Sequence, residues 1–211
     1  IIINKSKFMK KASLEQFINR YNLGGEVESV KITSSDSEMK VSFISDDKTL
    51  LGEVTSKEGE FPNGEFGVYT TSQLKALLGV LESSMDVDST ESYIKFSDKG
   101  TSVNYMLADL SVIPVVPDLK AVPPMNVQIT LDDDFTSKFI KSKGALSESD
   151  TFTFECKGGK GEIILGYSSI NTNRISMKVE CKCDGDVSPI SFSAKYLKEI
   201  LNANRGSKAA S

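Results

Sequence analysis

The strongest constraint on the fold of this chain is an internal repeat of short amphipathic helices separated by short strands. Apolar residues at helical spacing predict helices over 13–21, 71–83, the segment that follows Asp132, and 193–202. Phe17 in the first helix matches Phe139 in the third at a shift of 122 residues, and Leu74 in the second matches Leu197 in the fourth at a shift of 123. Two independent shifts that agree this closely indicate a duplicated domain.

The predicted helices are apolar on one side only, so each must lie across another layer that buries its apolar face. The expected N-caps are Ser13, Ser72, Asp132 or Asp133, and Ser193. An alternative function for the acidic run Asp132–Asp134 is metal binding, but consecutive side chains at a helix start point in different directions and acids there favour the helix dipole. Capping is the favoured interpretation.

Short segments rich in β-branched and aromatic residues predict the strands of this layer. They cover 27–33, 39–44, 50–55, 66–70, 93–97, 102–107, 127–131, 151–156, 162–167, 174–183 and 189–192. Their connections are too short for crossover helices, which favours antiparallel pairing. The run Lys157–Gly161 predicts a hairpin turn, because it lacks the order of a phosphate-binding loop. The sequence therefore predicts an α+β fold of two similar domains, each with antiparallel sheets and two short helices.

A proline-rich segment separates the two copies. Residues 111–124 contain four of the six prolines and many apolar residues, which indicates an extended connector held against a surface. The expected organisation is domain 1 over 1–110, the connector over 111–124 and domain 2 over 125–211. Residues 84–110 follow the second helix, whereas only 206–211 follow the fourth, so domain 2 is expected to lack its C-terminal strands.

Composition excludes several functions. The chain has 211 residues, with Lys+Arg 25 against Asp+Glu 29, and this net charge of −4 excludes a uniformly basic nucleic-acid binder but not a basic patch. It has no histidine, which excludes histidine-based catalysis and histidine-ligated metals. No apolar run reaches the roughly 20 residues that would span a membrane, so no membrane association is expected.

The cysteines predict neither a metal site nor disulfides. Cys156, Cys181 and Cys183 are odd in number and lack CxxC spacing, so no zinc site is expected. Cys181 and Cys183 alternate along a strand-like run and should share one sheet face as small packing residues. Free thiols of this kind fit a reducing cytoplasm. No cofactor and no catalytic residue is predicted.

Basic residues are concentrated on the predicted helices. They are Lys10, Lys11, Arg20, Lys75, Lys138, Lys141, Lys143, Lys195, Lys198 and Arg205. On the fourth helix, Lys195, Lys198 and Arg205 follow helical spacing opposite the apolar side. The windows 10–21, 72–83, 134–143 and 193–205 together carry +6, so the total of −4 leaves −10 for the rest of the chain. A solvated helix face is one interpretation, and sequence-independent contact with phosphates is the other.

The duplicated unit, the basic helices and the apolar connector together resemble the sliding clamps of T-even-type phages, relatives of proliferating cell nuclear antigen. The stretch FGVYTTSQLKALLGVL at 66–81 is similar to the second-helix region of these clamps, and ISFSAKYLKEIL at 190–201 is similar to the corresponding part of their second domain.

The resemblance implies a DNA clamp fold and a non-enzymatic processivity factor. Its subunits would form a homotrimeric ring with the helices and their basic residues facing double-stranded DNA and the sheets outside. An ATP-dependent clamp loader would place the ring, which would tether the replicative DNA polymerase. Partner peptides would enter a pocket formed by Val112, Ile113, Pro114 and Val115 beside the connector.

Two other functions remain open from the sequence. The first is a non-enzymatic, β-rich interaction module that binds proteins and does not encircle DNA. The second is a hydrolase whose catalytic site contains no histidine, although no local pair of carboxylates is distinctive.

Overall fold

The structure is a computed structural model of the chain, and it describes residues 7–36, 38–58, 60–118 and 125–207. The chain divides into two compact units, Ile1–Asp118 (the first unit) and Leu119–Ser211 (the second unit). The predicted connector, 111–124, spans this division, and its residues 119–124 lie outside the described residues. So do 1–6 of the predicted domain 1 and 208–211 of the predicted domain 2.

The described residues of the first unit form two α-helices and two antiparallel sheets. Its elements are β1 (Lys7–Lys10), α1 (Lys11–Asn22), β2 (Val30–Ser35), β3 (Glu38–Ile44), β4 (Leu51–Ser56), β5 (Gly64–Val68), α2 (Thr71–Leu78), β6 (Ser84–Ser89), β7 (Tyr93–Ser97) and β8 (Ser102–Met106). The strand orders are β4-β3-β2-β5 and β1-β6-β7-β8. A short 3-10 helix, Leu110–Val112, follows β8.

The core of the first unit lies between its helices and its sheets. Helix α1 contributes Leu14, Phe17, Ile18 and Tyr21, all at most 1% exposed. It packs against α2 and against strands of both sheets. Burying each such side chain stabilises the fold by about 1.5–3 kcal/mol. The Tyr21 hydroxyl shares a hydrogen bond of 3.3 Å with the Thr71 hydroxyl, so the two helices also have a buried polar contact.

The second unit repeats much of this arrangement. Its elements are β9 (Val127–Ile129), α3 (Asp133–Ala145), β10 (Thr151–Lys157), β11 (Lys160–Leu165), β12 (Ile175–Val179), β13 (Cys181–Cys183), β14 (Val187–Ser193) and α4 (Ala194–Ala203). The antiparallel sheet β12-β11-β10-β14 has the same order as β4-β3-β2-β5, and β9 pairs with β13. Within the described residues, the second unit has no counterparts of β6, β7 and β8. The predicted α+β fold with antiparallel sheets is confirmed.

Several sequence-based predictions need correction at the ends of elements. The N-caps of α1 and α2 are Lys10 and Thr70, not Ser13 and Ser72. Helix α2 ends at Leu78 rather than at 83, because Gly79 follows and the chain turns into β6. Strands β1 and β6 were not predicted, since serine and charged residues alternate with their buried side chains.

Other predictions of local structure are confirmed. The Asp132 carboxylate accepts a hydrogen bond of 2.6 Å from the Phe135 amide, and the Ser193 hydroxyl accepts one of 3.3 Å from the Tyr196 amide. Lys157 pairs with Lys160 across the hairpin of β10 and β11, and Gly158 and Gly159 take the positive φ values that the turn requires. Among the described residues, no helix is both long enough and apolar enough to cross a membrane.

Candidate nucleic-acid interface and connector pocket

Within its bounds, each of the four helices carries a formal charge of +1, whereas the whole chain carries −4. Helices α1 and α2 contact each other in the first unit, as do α3 and α4 in the second. Their apolar sides are turned into the cores, so their polar and basic side chains lie on the remaining surface. Each unit therefore presents a pair of weakly basic helices.

The basic residues of the first unit differ in how available they are. Lys10, at the N-cap of α1, is exposed, and its ammonium makes no hydrogen bond or ion pair with the described residues. The Lys11 ammonium donates to the Leu81 carbonyl at 2.9 Å and lies 3.7 Å from Glu15. Lys75 donates to the Asn22 side chain at 3.5 Å. Lys11 and Lys75 thus help to hold the helices in place. Of these three lysines, Lys10 has the side chain that is most available to an external phosphate.

Arg20 is half-buried on α1. Its Nε is buried and has no hydrogen-bond partner within the parts of the chain that the structure describes. A buried donor of this kind is costly unless it finds an acceptor.

Helix α3 carries the most exposed basic residues. Lys138 lies 2.6 Å from Asp134, one turn earlier, and this hydrogen bond raises the pKa of Lys138. Lys141 is exposed and makes no such contact with the described residues. Lys143 is half-buried and donates to the Ser147 carbonyl at 2.7 Å, just beyond the end of the helix. Both side chains of this pair are exposed, and solvent screens exposed ion pairs strongly, so Lys138 can exchange Asp134 for a phosphate at little cost.

On α4 the basic residues lie beside polar partners. Lys198 is half-buried and lies 3.4 Å from Glu199, while Lys195 is exposed and takes part in an interaction of its own within the chain. The helix ends at Ala203, so Arg205 follows it rather than extending its basic side as the spacing predicted. Arg205 nevertheless donates to the Asn202 side chain at 3.2 Å, which keeps it next to the last turn.

A groove lies beside the predicted partner-peptide residues in the first unit. It has a volume of about 440 Å³ and includes Ile113, Pro114 and Val115 in its lining, with Leu110 and Val116. Val112, also predicted, is 55% exposed but does not line the groove. Val115 is 90% exposed, whereas Ile113 is 7% exposed. The buried side chain of Ile113 therefore holds the connector in place, whereas the side chain of Val115 is exposed to solvent.

A glycine allows the segment that leads into the connector to approach the sheet. The Ala108 amide donates to the Gly67 carbonyl at 2.9 Å, and a Cβ at position 67 would lie 2.4 Å from the Ala108 oxygen. The same Cβ would lie 3.5 Å from Ile113, an ordinary van der Waals contact, so the close approach that requires glycine is the one to Ala108. Any larger side chain at position 67 would push this segment away.

The other wall of the groove is polar and was not predicted. Lys31 and Thr33 of β2 and Lys40 and Ser42 of β3 line it. Lys31 forms an ion pair with Glu65 at 2.7 Å and Lys40 one with Glu53 at 2.9 Å, and the hydrogen bond that Lys40 donates to the Glu53 carboxylate raises the pKa of Lys40. Alternation along the predicted strands could have placed these side chains on one face, but not beside the connector.

The three cysteines meet in the second unit. Cys156 of β10 is fully buried, while Cys181 and Cys183 of β13 are half-buried against the same hydrophobic core. Hydrogen bonding with Cys156 is the main cause that raises the pKa of the Cys183 thiol to about 12.

Comparisons with known proteins bear on the fold. The chain is similar to the crystal structure of the DNA polymerase III beta chain from Streptococcus pneumoniae TIGR4, with a TM-score of 0.72 and 16% identity over 97% of this chain. It spans 57% of the length of that protein. It is also similar to proliferating cellular nuclear antigen from Entamoeba histolytica, with a TM-score of 0.58 and 15% identity over 94% of this chain and 83% of that one. No protein family and no curated protein matches it by sequence. At this level of identity the likeness establishes the fold, and the fold of this chain is the DNA clamp fold.

Proposed function

We propose that this chain is the subunit of a DNA sliding clamp of the T-even phage type. It acts without catalysis as a processivity factor: a homotrimeric ring encircles double-stranded DNA and tethers the replicative polymerase, after an ATP-dependent loader has placed it. The observation that carries the proposal is the net charge of +1 on each of four helices of a clamp fold whose total charge is −4.

The charge distribution is suited to holding DNA without reading its sequence. Lysines that contact phosphates give affinity that is independent of sequence and falls as salt rises. Such contacts alone release DNA readily, and a closed ring supplies the retention that they lack. The acidic remainder of the chain limits binding of DNA to other surfaces.

The connector groove supports a docking role for partner proteins. The 90% exposed side chain of Val115 lies at the edge of a groove of about 440 Å³ with one apolar and one charged wall. We propose that a short hydrophobic segment of the polymerase or of the loader binds there. The same groove would serve an interaction module that never encircles DNA, so the two functions must be separated by DNA binding and assembly.

Assembly is tested by mass photometry of the full chain over a range of concentrations. A species of three times the subunit mass is expected. A chain that stays monomeric at the highest concentrations contradicts the ring.

DNA contact is tested with the double variant Lys138→Glu/Lys141→Glu on α3. We expect weaker binding to duplex DNA and a smaller dependence of affinity on salt, by about 0.9 in the logarithmic slope for each phosphate that the variant no longer neutralises. Fluorescence anisotropy over a salt series gives both quantities.

The matched control is Lys178→Glu/Lys182→Glu, which changes the charge of the same unit equally but at exposed positions on β12 and β13. Its affinity and salt dependence should stay near those of the unmodified chain. If both double variants weaken DNA binding equally, the helices are not the DNA-binding surface and the interaction module becomes the better explanation.

A further inference from the structure

All three cysteines of the chain come together between the two sheets of the second unit. The Cys181 sulfur lies 3.9 Å from that of Cys156 and 3.4 Å from that of Cys183. The three sulfur atoms all lie within 4.8 Å of one another, and all three thiols are free. Residues 25 positions apart in the sequence thus converge on one point.

The fold brings the sulfurs together from two separate sheets. Cys181 and Cys183 alternate along β13, so both side chains lie on the same face of the two-stranded sheet that β13 forms with β9. Cys156 belongs to β10 of the four-stranded sheet, next to an irregularity in its pairing with β14. Such irregularities commonly redirect a side chain. The thiol cluster therefore joins side chains from the two sheets of this unit.

A glycine makes the space that the sulfurs occupy. Gly161 pairs with Cys156 across β10 and β11, and a Cβ at position 161 would lie 2.6 Å from the Cys181 sulfur. In the first unit, the positions 122 residues earlier are Ser34 and Met39, which also pair with each other. The Met39 side chain is buried there. The second unit lacks that side chain and has three thiols near the same place.

The spacing of the sulfurs suits a single metal ion. With metal–sulfur bonds of about 2.3 Å, sulfur atoms are about 3.8 Å apart in a tetrahedral site and about 4.0 Å apart in a trigonal one. The observed 3.4 and 3.9 Å lie close to these values, so small side-chain rotations would complete the site.

The donor set defines the class of ion. The chain has no histidine, and the three sulfurs are the cluster's donors. Thiolates select Zn²⁺ and Cu(I) over hard ions such as Mg²⁺. Three protein ligands leave a fourth position of Zn²⁺ for water. A groove of about 460 Å³ is lined by Cys181, Gly161 and Val179, so it reaches the cluster at Cys181.

We propose that Cys156, Cys181 and Cys183 bind one thiophilic metal ion, Zn²⁺ or Cu(I), which cross-links the β9–β13 sheet to the four-stranded sheet of the second unit. Each thiol that becomes a ligand releases its proton to solvent, and no electron transfer is required. This site was not expected from the sequence, because spacing alone does not reveal that Cys156 reaches the other two. The proposal does not depend on the function proposed above.

The test uses the full chain, reduced and freed of metal. It is titrated with Zn²⁺ in one arm and with Cu(I) in the other, and native mass spectrometry gives the number of ions bound. One ion per chain is expected in at least one arm, and the arms show which ion is preferred. Competition with a chelator gives the affinity. A wild-type chain that binds neither ion at micromolar concentrations overturns the proposal.

The position of the ion is tested with Cys183→Ser. We expect it to lower the affinity at least about 100-fold, since even the loss of a group that supports a ligand costs 10–100-fold. The control Lys182→Ser introduces the same residue between the two β13 cysteines, at an exposed position, and should bind as the wild type does. Equal affinity of both variants contradicts the assignment.

If Cys183→Ser fails to fold, a measurement on the wild type can still identify the ligands of the ion. X-ray absorption at the metal edge should show three sulfur ligands at about 2.3 Å. A shell of oxygen and nitrogen atoms alone would overturn the site.

Discussion

The two units begin their helices in different ways. In the first unit, the N-terminus of α2 is held by Glu28, 44 residues earlier: its carboxylate accepts a hydrogen bond of 2.8 Å from the Ser72 amide and another from the Ser72 hydroxyl. In the second unit, Ser193 caps α4 from the position immediately before the helix. The same contrast holds for α1, whose first amide donates to the Ser83 carbonyl at 3.1 Å, and for α3, which Asp132 caps.

The edge strands β5 and β14 show a second difference. Phe66 of β5 and Ile190 of β14 occupy equivalent places, because they pair with Ile32 and Phe154, which are 122 residues apart. Phe66 is 4% exposed and Ile190 is 47% exposed. The helices of the first unit are thus held at their N-termini by distant parts of the chain, whereas those of the second unit are capped by the residue just before them. Two units with the same order of strands in their four-stranded sheets therefore differ in how their helices begin and in how far the edge strand is buried.

The largest expected effect is a difference in stability between two substitutions, one on the edge strand β5 and one on the edge strand β14. Phe66→Ala should lower the free energy of unfolding by about 3–5 kcal/mol, because it removes a buried ring that also packs against Phe61. Ile190→Ala should cost less than about 1 kcal/mol, since the side chain is half exposed. Urea denaturation with the same probe measures both. Similar losses would show that β14 is covered in solution.

The second prediction concerns the long-range cap. Glu28→Ala should destabilise the first unit by about 2 kcal/mol, the cost of losing hydrogen bonds to a charged acceptor. The control is Glu91→Ala, at an exposed position in a turn, and it should change stability by no more than about 0.5 kcal/mol. Thermal and urea denaturation of both variants give the comparison. Equal stability of the two variants would mean that water replaces Glu28 at the helix end.

The smallest expected effect concerns the local cap. Asp132→Ala should cost about 1 kcal/mol, as N-cap removal usually does. Lys10 is the equivalent N-cap of α1 and makes no capping hydrogen bond with its side chain, so Lys10→Ala should cost less than about 0.5 kcal/mol. Circular dichroism during urea denaturation measures both. A loss at Lys10 as large as that at Asp132 would remove the contrast between the units.

The contrast between local and distant contacts at the helix N-termini also explains what could be predicted from the sequence. The helices were found because their apolar stripes are local, and the caps Asp132 and Ser193 were found because they stand next to their helices. Ser72 was mistaken for a cap since it lies where one is expected; its amide is in fact satisfied by Glu28. No pattern in the local sequence predicts that the acceptor for the Ser72 amide is Glu28, 44 residues earlier.

The candidate sites follow the same logic. Spacing placed basic residues on the helices, but it could not show that Lys11 would be held by the Leu81 carbonyl. The proline-rich, apolar composition placed Ile113 in the connector, but it could not show that Gly67 of β5 lets the chain approach the sheet just before the connector. The cysteine cluster was missed because Cys156 and Cys181 meet only through the packing of two sheets.

The attachment of the connector has a consequence for how occupancy of its groove can be observed. The segment is held by the bridge between Gly67 and Ala108 and by the buried side chain of Ile113. An isolated bridge holds a segment less firmly than continuous strand pairing, so this segment should open locally at a lower free energy than the paired strands β2 and β3. If a peptide binds in the groove as proposed, it should stabilise the closed segment and slow amide hydrogen exchange at Ala108. The exchange rate of the Ala108 amide would therefore measure partner binding without any added label.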